Sequence, residues 1–132
     1  MSAIGIARSG LEASMMRLTA SASNIANAEA TGALPGSGAQ DARPAYQPVR
    51  AMISPLAGGG AAASLAPVEP AYRLTYEPAA RHADARGMVA APNVDIAAEL
   101  VEQLSAKLAF QANLKVIATA ADLERRTVQG WA

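Results

Sequence analysis

Two stretches of the chain repeat their apolar residues at helical spacing, and they lie at opposite ends. In the first, Ile4, Leu11, Met15, Leu18, Ala22 and Ile25 are separated by 7, 4, 3, 4 and 3 positions. This is the a/d seam of a heptad pattern, with the charged Arg8 as its one breach, and it predicts an amphipathic helix about 40 Å long. The second stretch carries two stripes: Val94, Ala97, Val101, Leu104 and Leu108 at 3, 4, 3, 4, then Phe110, Leu114, Ile117 and Ala121 at 4, 3, 4. A helix that packs on one neighbour carries a single stripe, so the change of face predicts either contact with several neighbours or a stutter in one coiled coil. Between the two stretches the period falls to two. Tyr72, Leu74 and Tyr76 alternate with Arg73, Thr75 and Glu77 as in a half-buried strand, and Val49, Ala51 and Ile53 form a weaker second candidate.

Helix breakers divide the chain along the same lines. All 8 prolines lie between Pro35 and Pro92, and 7 of the 10 glycines between Gly32 and Gly87. Proline inside a helix costs ~3 kcal/mol, so residues 1–31 and 93–132 are free to be helices and residues 32–92 are not. Thr31-Gly32 offers a stop to the first helix through a left-handed glycine. Asn93 or Asp95 offers a cap to the second, which opens with Asp95, Glu99 and Glu102 and gains Lys107, Lys115, Arg125 and Arg126 later, an order that complements the helix dipole. Asp84-Ala85-Arg86-Gly87 reads as a turn into Met88-Val89, and Gly58-Gly59-Gly60-Ala61-Ala62-Ala63 as a flexible loop. The expected fold class is mainly α, with long N- and C-terminal helices pairing as a coiled-coil-like hairpin around a small β-containing, irregular insert.

Composition moves this picture toward assembly. With one Phe, one Trp and 3 Tyr, the core has to be built from aliphatic residues, many of them alanine. Alanine buries little area at ~25 cal/mol per Å², so burial against other chains is an attractive supplement. The 132 residues are too few for a two-domain enzyme with a cleft. A formal net charge of zero gives no footprint for nucleic acid or an anionic membrane. The absence of cysteine removes disulfides, thiolate metal sites and thiol catalysis. Arg8, Glu12 and Arg17 interrupt the first thirty or so positions, which therefore lack the apolar core of a cleaved signal peptide, and no apolar run approaches the ~20 residues that span a bilayer.

Candidate chemistry is thin. His82, the one histidine, sits in a polar, loop-like stretch and reads as a surface residue. No HExxH, GxSxG, Walker loop or GxGxxG occurs. Glu99 and Glu102 share a helical face at i, i+3, but so early in a helix they complement the dipole better than they make a metal pair. Neither catalytic residue, metal nor cofactor is expected. The amides are less ordinary: Asn24 and Asn27 near the end of the first helix, Gln111 and Asn113 in the middle of the second. Asparagine is a poor helix former, usually found at helix ends or exposed faces, although several amides on apolar helices can also bond across an interface and fix its register.

The run Ala22-Ser23-Asn24-Ile25-Ala26-Asn27-Ala28, followed by Thr31-Gly32, resembles the N-terminal signature of the flagellar axial family of rod, hook and hook-associated proteins. Pro92-Asn93-Val94-Asp95, Glu99-Leu100-Val101, Phe110-Gln111-Ala112-Asn113 and Lys115–Asp122 resemble the same family's C-terminal helix. The short length, Tyr76-Glu77-Pro78 and the Asp84–Val89 turn are similar to its small proximal rod members; distal rod and hook proteins carry much larger inserts. One departure is that Ala33 and Leu34 follow Gly32 where the family usually places an aromatic.

The resemblance implies a structural subunit of the basal-body rod, crossing the periplasm. It implies terminal helices packed as a coiled coil in a helical polymer that transmits torque, and export by the flagellar type III apparatus without a cleaved signal. Its partners would be other copies of itself and neighbouring rod proteins, with no direct membrane insertion. Asn24, Ile25, Asn27, Asn93, Val94, Asp95, Gln111 and Asn113 become packing or subunit-contact positions on this view. The apolar stripes add Leu11, Met15, Leu18, Leu104, Leu108, Phe110, Leu114 and Ile117. The alternative from the residues alone is a self-contained helical hairpin that docks one partner helix on its spare stripe.

Overall fold

A computed structural model describes residues 2–39, 41 and 43–130; positions 1 and 131–132 of the predicted flanks, and 40 and 42 of the predicted insert, lie outside the described residues. Two long helices, α1 (Ala3–Ala26) and α2 (Ile96–Gln129), enclose in sequence two antiparallel hairpins, β1 (Val49–Pro55) with β2 (Ala61–Pro67) and β3 (Tyr72–Tyr76) with β4 (Met88–Pro92). The chain is thus mainly α with a small β insert.

The helix ends follow from local chemistry. Ser2 caps α1, its Oγ accepting from the Gly5 amide at 3.2 Å. Of the two caps expected for α2, Asp95 is the one used: its Oδ1 accepts from the amides of Ala97 at 3.0 Å and Ala98 at 3.2 Å. Asn93 instead donates to the Pro70 carbonyl at 3.0 Å, tying the entry of α2 to the start of β3. The stop expected at Thr31-Gly32 comes earlier. α1 ends at Asn27, whose side chain donates to the Ser23 carbonyl at 2.9 Å. Gly32 does not adopt a left-handed conformation. It is needed for a different reason: the backbone of residues 43–45 crosses so closely that an added Cβ would lie 2.1 Å from Ala45 N and 2.3 Å from Pro44 C.

In the first hairpin Val49 pairs with Pro67 and Pro55 with Ala61. Gly58, Gly59 and Gly60 all have positive φ in its turn, which side chains with a Cβ resist. Ala61, Ala62 and Ala63, expected in a flexible loop, are the first residues of β2, because the glycines alone suffice to reverse the chain. In the second hairpin the Asp84–Gly87 turn forms as expected: Asp84 Oδ1 accepts from the amides of Arg86 at 2.8 Å and Met88 at 2.9 Å, and Gly87 takes φ 76°. Strand β4 has β3 on one edge and Gly32 on the other, Gly32 and Ala90 exchanging two 2.9 Å hydrogen bonds. It is correspondingly the most buried strand, with Val89 fully inaccessible.

The helices run antiparallel: Asn24 and Ser21 meet Glu99, Arg17 meets Glu102 and Ser105, and Gly10 lies against Asn113. The line of α1 that faces α2 is therefore Ala7, Gly10, Ser14, Arg17, Ser21 and Asn24, a heptad-like series of small and polar residues. The apolar seam expected to pair within the subunit lies beside it. Ile4, Leu11, Leu18 and Ile25 are half-buried along the edge of the contact, Met15 is 53% exposed and Ala22 is exposed. On α2 the line facing α1 runs through Glu99, Glu102, Ala106 and Asn113. Of the two expected stripes, the first is turned away, with Val101, Leu104 and Leu108 each more than half exposed. The second divides, Phe110, Ile117 and Ala121 half-buried and Leu114 exposed.

The physical reason is distance. Small residues on the facing line let the two backbones approach, and the contact is made by close packing and hydrogen bonds instead of large side chains. Among the described residues the buried apolar side chains are alanines apart from Val89, Pro48 and Pro92. The first hairpin covers another side of α1, where Ala13 and Ala20 are buried and Ser9 Oγ accepts from the Ala61 amide at 3.0 Å.

Candidate functional site

The densest polar constellation lies where the end of α1, the start of α2 and strand β1 meet. Its centre is Asn24, 1% exposed. The Asn24 Nδ2 donates to the Val49 carbonyl at 2.8 Å and to Glu99 Oε1 at 2.7 Å, and its Oδ1 accepts from the Val49 amide at 3.0 Å and the Tyr46 hydroxyl at 3.1 Å. A side-chain amide has two donor hydrogens and two acceptor lone pairs, so every bond that Asn24 is able to make is made. One side chain joins three elements: it completes the backbone pairing of Val49, holds the carboxylate of Glu99 and anchors the loop that carries Tyr46. Ser23 Oγ, 3.0 Å from the Tyr46 hydroxyl, and Ser21 Oγ, donating to the Glu99 carbonyl at 2.9 Å, extend the network.

One turn earlier on α1, Arg17 grips Glu102 with two parallel bonds, Nε to Oε1 at 2.5 Å and Nη2 to Oε2 at 2.9 Å, and Nη2 also donates to Ser105 Oγ at 3.1 Å. The Arg17 side chain is 18% exposed and that of Glu102 40%. Bidentate geometry is the stronger form of such a pair. The bonds from Arg17 hold the Glu102 carboxyl below the usual carboxylate range, and the carboxylate holds the guanidinium above its ordinary value. Between β1 and the start of α2 the clamp floors an open cleft of about 500 Å³ that also exposes Arg50.

This arrangement fastens elements together; it holds no nucleophile beside a base. Among the described residues no three potential metal ligands cluster, and no helix is long and apolar enough to cross a membrane. His82, expected on the surface, is half-buried, with Nε2 3.0 Å from Thr31 Oγ1, because the segment after α1 passes beside it.

The residues singled out from sequence fall into several settings. Asn24 is in the clamp; Asn27, Asn93 and Asp95 terminate or tether helices as described. Asn113 is half-buried against Gly10 and bonds back to the Ala109 carbonyl of its own helix at 2.9 Å, while Gln111 is exposed. Leu18, Ile25, Phe110 and Ile117 are half-buried at the flanks of the helix contact, and Val94 is half-buried just ahead of α2. Leu104, Leu108 and Leu114 are exposed on α2, while Leu11 and Met15 line an open groove of about 600 Å³ on α1, with Met16 and with Leu65 of β2.

Arg17, Ser21, Tyr46, Glu99 and Glu102 were not expected to form a site. The two glutamates, read as dipole complements, face α1 and carry the clamp. The signal for them was present in the spacing of Gly10, Ser14, Arg17, Ser21 and Asn24, a heptad series that apolar periodicity does not register.

Residues 85–130 match the family described as flagellar basal body rod FlgEFG protein C-terminal. Over 123 residues the chain is 36% identical to the flagellar basal-body rod protein FlgC of Salmonella typhimurium, covering 93% of this chain and 91% of that relative. It is 35% identical to FlgC of Escherichia coli O157:H7 over the same proportions. It is 30% identical to FlgC of Aquifex aeolicus over 129 residues, 98% of this chain and 95% of the relative. With 30–36% identity over 93% or more of its length, the chain belongs to the FlgC family of flagellar basal-body rod proteins.

Proposed function

We propose that the chain is a structural subunit of the bacterial flagellar rod, located in the basal body, that assembles through its terminal helices with copies of itself and neighbouring rod proteins. The observation that carries this reading is the division of labour on α2. Its small and polar line is used within the subunit, while Val101, Leu104 and Leu108 stand 58–68% exposed on a different line. Large aliphatic side chains exposed in a row mark an interaction surface. The match to rod proteins over nearly the whole chain supplies the setting. On this reading α1 and α2 form a coiled-coil-like pair within the polymer, and the rod transmits torque through it. The clamp around Asn24 keeps the first hairpin in a set orientation to the helices, so that contacts outside the helical core recur from subunit to subunit. Secretion by the flagellar type III apparatus without signal cleavage completes the proposal.

Deleting the gene in its own organism tests it. The expected outcome is arrest of flagellar assembly before a hook appears, with assembly restored by the wild-type chain and not by Leu104→Glu. A deletion strain that builds hooks and swims normally would refute the reading.

A further inference from the structure

We infer that the α2 stripe of one copy seats in the groove between α1 and β2 of the next, an inference that rests on the rod reading above. The groove is built from Leu11, Met15, Met16 and Leu65, rimmed by Arg8 and Glu12. The stripe is Ala97, Leu100, Val101, Leu104 and Leu108, all exposed.

Three observations select a second copy as the occupant. The first is length: the groove residues of α1 run from Arg8 to Thr19 and the stripe from Ala97 to Leu108, each about three helical turns or ~17 Å. The second is charge. The stripe is uncharged, and the two charges at the groove are already paired, Arg8 Nε to Glu12 Oε1 at 3.1 Å. Covering the groove with an aliphatic face therefore strands no lone charge, the usual penalty for burying one. The third is position. The stripe is turned away from α1, whereas the groove lies on α1 itself beside β2, so the two face different ways and their union is head-to-tail. Such a heterologous contact gives a ring where the rotation closes and an open series where it does not.

The contact is also small. A helix face ~17 Å long and ~11 Å wide covers on the order of 200 Å², well under the ~800 Å² per partner of a stable pairwise interface. One such contact holds weakly, and the assembly persists only where each copy meets several neighbours.

The native chain has no cysteine, which makes disulfide trapping clean. Full-length Met15→Cys and Leu104→Cys variants, both at exposed positions, are mixed and oxidised across a concentration series. Ser54→Cys, on exposed strand β1, serves as the collision control. The expected result is a mixed Met15→Cys/Leu104→Cys dimer several-fold above either homodimer and above the control, and a ladder of higher multimers from the doubly substituted chain. Dominant Leu104→Cys homodimers would overturn the inference in favour of back-to-back stripes, and mixed dimers no more abundant than the control would overturn it outright. The same variants are returned to the deletion strain. Swimming without the mixed crosslink sinks the groove pairing and leaves the rod reading standing, whereas a deletion strain that needs no complementation sinks the rod reading itself.

Discussion

At the scale of single residues the fold depends on a few positions where no other side chain fits, and they differ in kind. Asn24 is a question of hydrogen bonds. Replacing it with alanine leaves the Val49 amide and carbonyl and one oxygen of Glu99 without their buried partner, and each orphaned group costs ~1–3 kcal/mol. Asn24→Ala is expected to destabilise the chain by roughly 3 kcal/mol in urea denaturation. Asn24→Asp should do at least as much harm near neutral pH, where it sets a carboxylate in place of the donor that lies 2.7 Å from Glu99. If Asn24→Ala unfolds at the wild-type midpoint, the clamp is decoration. Gly32 and Gly10 are questions of space. A Cβ on Gly32 meets backbone on the neighbouring segment, which has nowhere to go, so Gly32→Ala is expected to cost upwards of about 3 kcal/mol. A Cβ on Gly10 would come within 2.7 Å of Asn113, but of its side-chain end, which is able to swing aside. Gly10→Ala gains up to ~1 kcal/mol in helix propensity and loses the fit to Asn113. In an Asn113→Ala background only the gain remains, so the same substitution should become stabilising there. A double-mutant cycle of melting curves reads the coupling directly, and strictly additive effects would contradict the contact.

At the scale of elements, what was legible in the sequence is what large side chains and backbone constraints encode. The prolines between Pro35 and Pro92 confined the helices to the ends, and Val49–Ile53 lies within β1. The Tyr72–Tyr76 alternation became β3, but not as a half-buried strand: Tyr72, Leu74 and Tyr76 are exposed and Thr75 is the half-buried residue. The pairing face of the helices was not legible, since periodicity weighs Leu, Ile and Met, whereas α1 meets α2 through alanine, glycine, serine and two polar residues. Gly32 was recognisable as special, but a close crossing by residues 43–45 cannot be read from local sequence. The Arg17–Glu102 bridge belongs to this level because it is the charged fastening between the helices. Glu102 has its carboxyl held down by Arg17, so the bridge favours the folded chain above the ordinary carboxylate range, and that contribution fades as pH falls through the depressed folded value. Arg17 stays charged throughout. Asp84 and Asp41 are also held low, chiefly by the backbone amides of Met88 and Arg43 respectively, and act in the same direction. Glu102→Gln should therefore flatten part of the acid-side loss of stability. The half-exposed carboxylate limits the neutral-pH cost to about 1 kcal/mol or less. Stability measured from neutral pH down to pH ~3 checks this: wild type and variant should converge at the acid end, and curves that stay parallel would rule the bridge out as the cause.

At the scale of the whole molecule the two helices are unequal, 24 residues against 34. Because Gly10 lies opposite Asn113 in an antiparallel pair, the start of α1 runs out near Ala120 and Leu123, and Ala3 lines a shallow groove with them. Among the described residues no helix lies beside the last two turns of α2, through Gln129, and every residue from Leu123 to Gly130 is exposed. They hold their shape by local bonds alone, Arg126 Nε to Asp122 at 2.8 Å and Thr127 Oγ1 to the Leu123 carbonyl at 2.8 Å. Exposed pairs of this kind contribute ~0.3–0.5 kcal/mol each, too little to offset the ordering entropy of ~1–2 kcal/mol per residue. In an isolated subunit the amides of residues 124–130 are therefore expected to exchange with solvent orders of magnitude faster than those near Ala106, which is fully buried. If assembly supplies the missing neighbours, the same amides should become protected as subunit concentration rises into the oligomer range, along with those of the Leu100–Leu108 stripe. Leu104→Glu should abolish that second change while leaving the circular dichroism of the dilute monomer unaltered, since Leu104 already faces solvent there. Protection of residues 124–130 that is already complete in the dilute monomer would mean that the helix is finished within one chain, and the case for assembly through α2 would lose its physical basis.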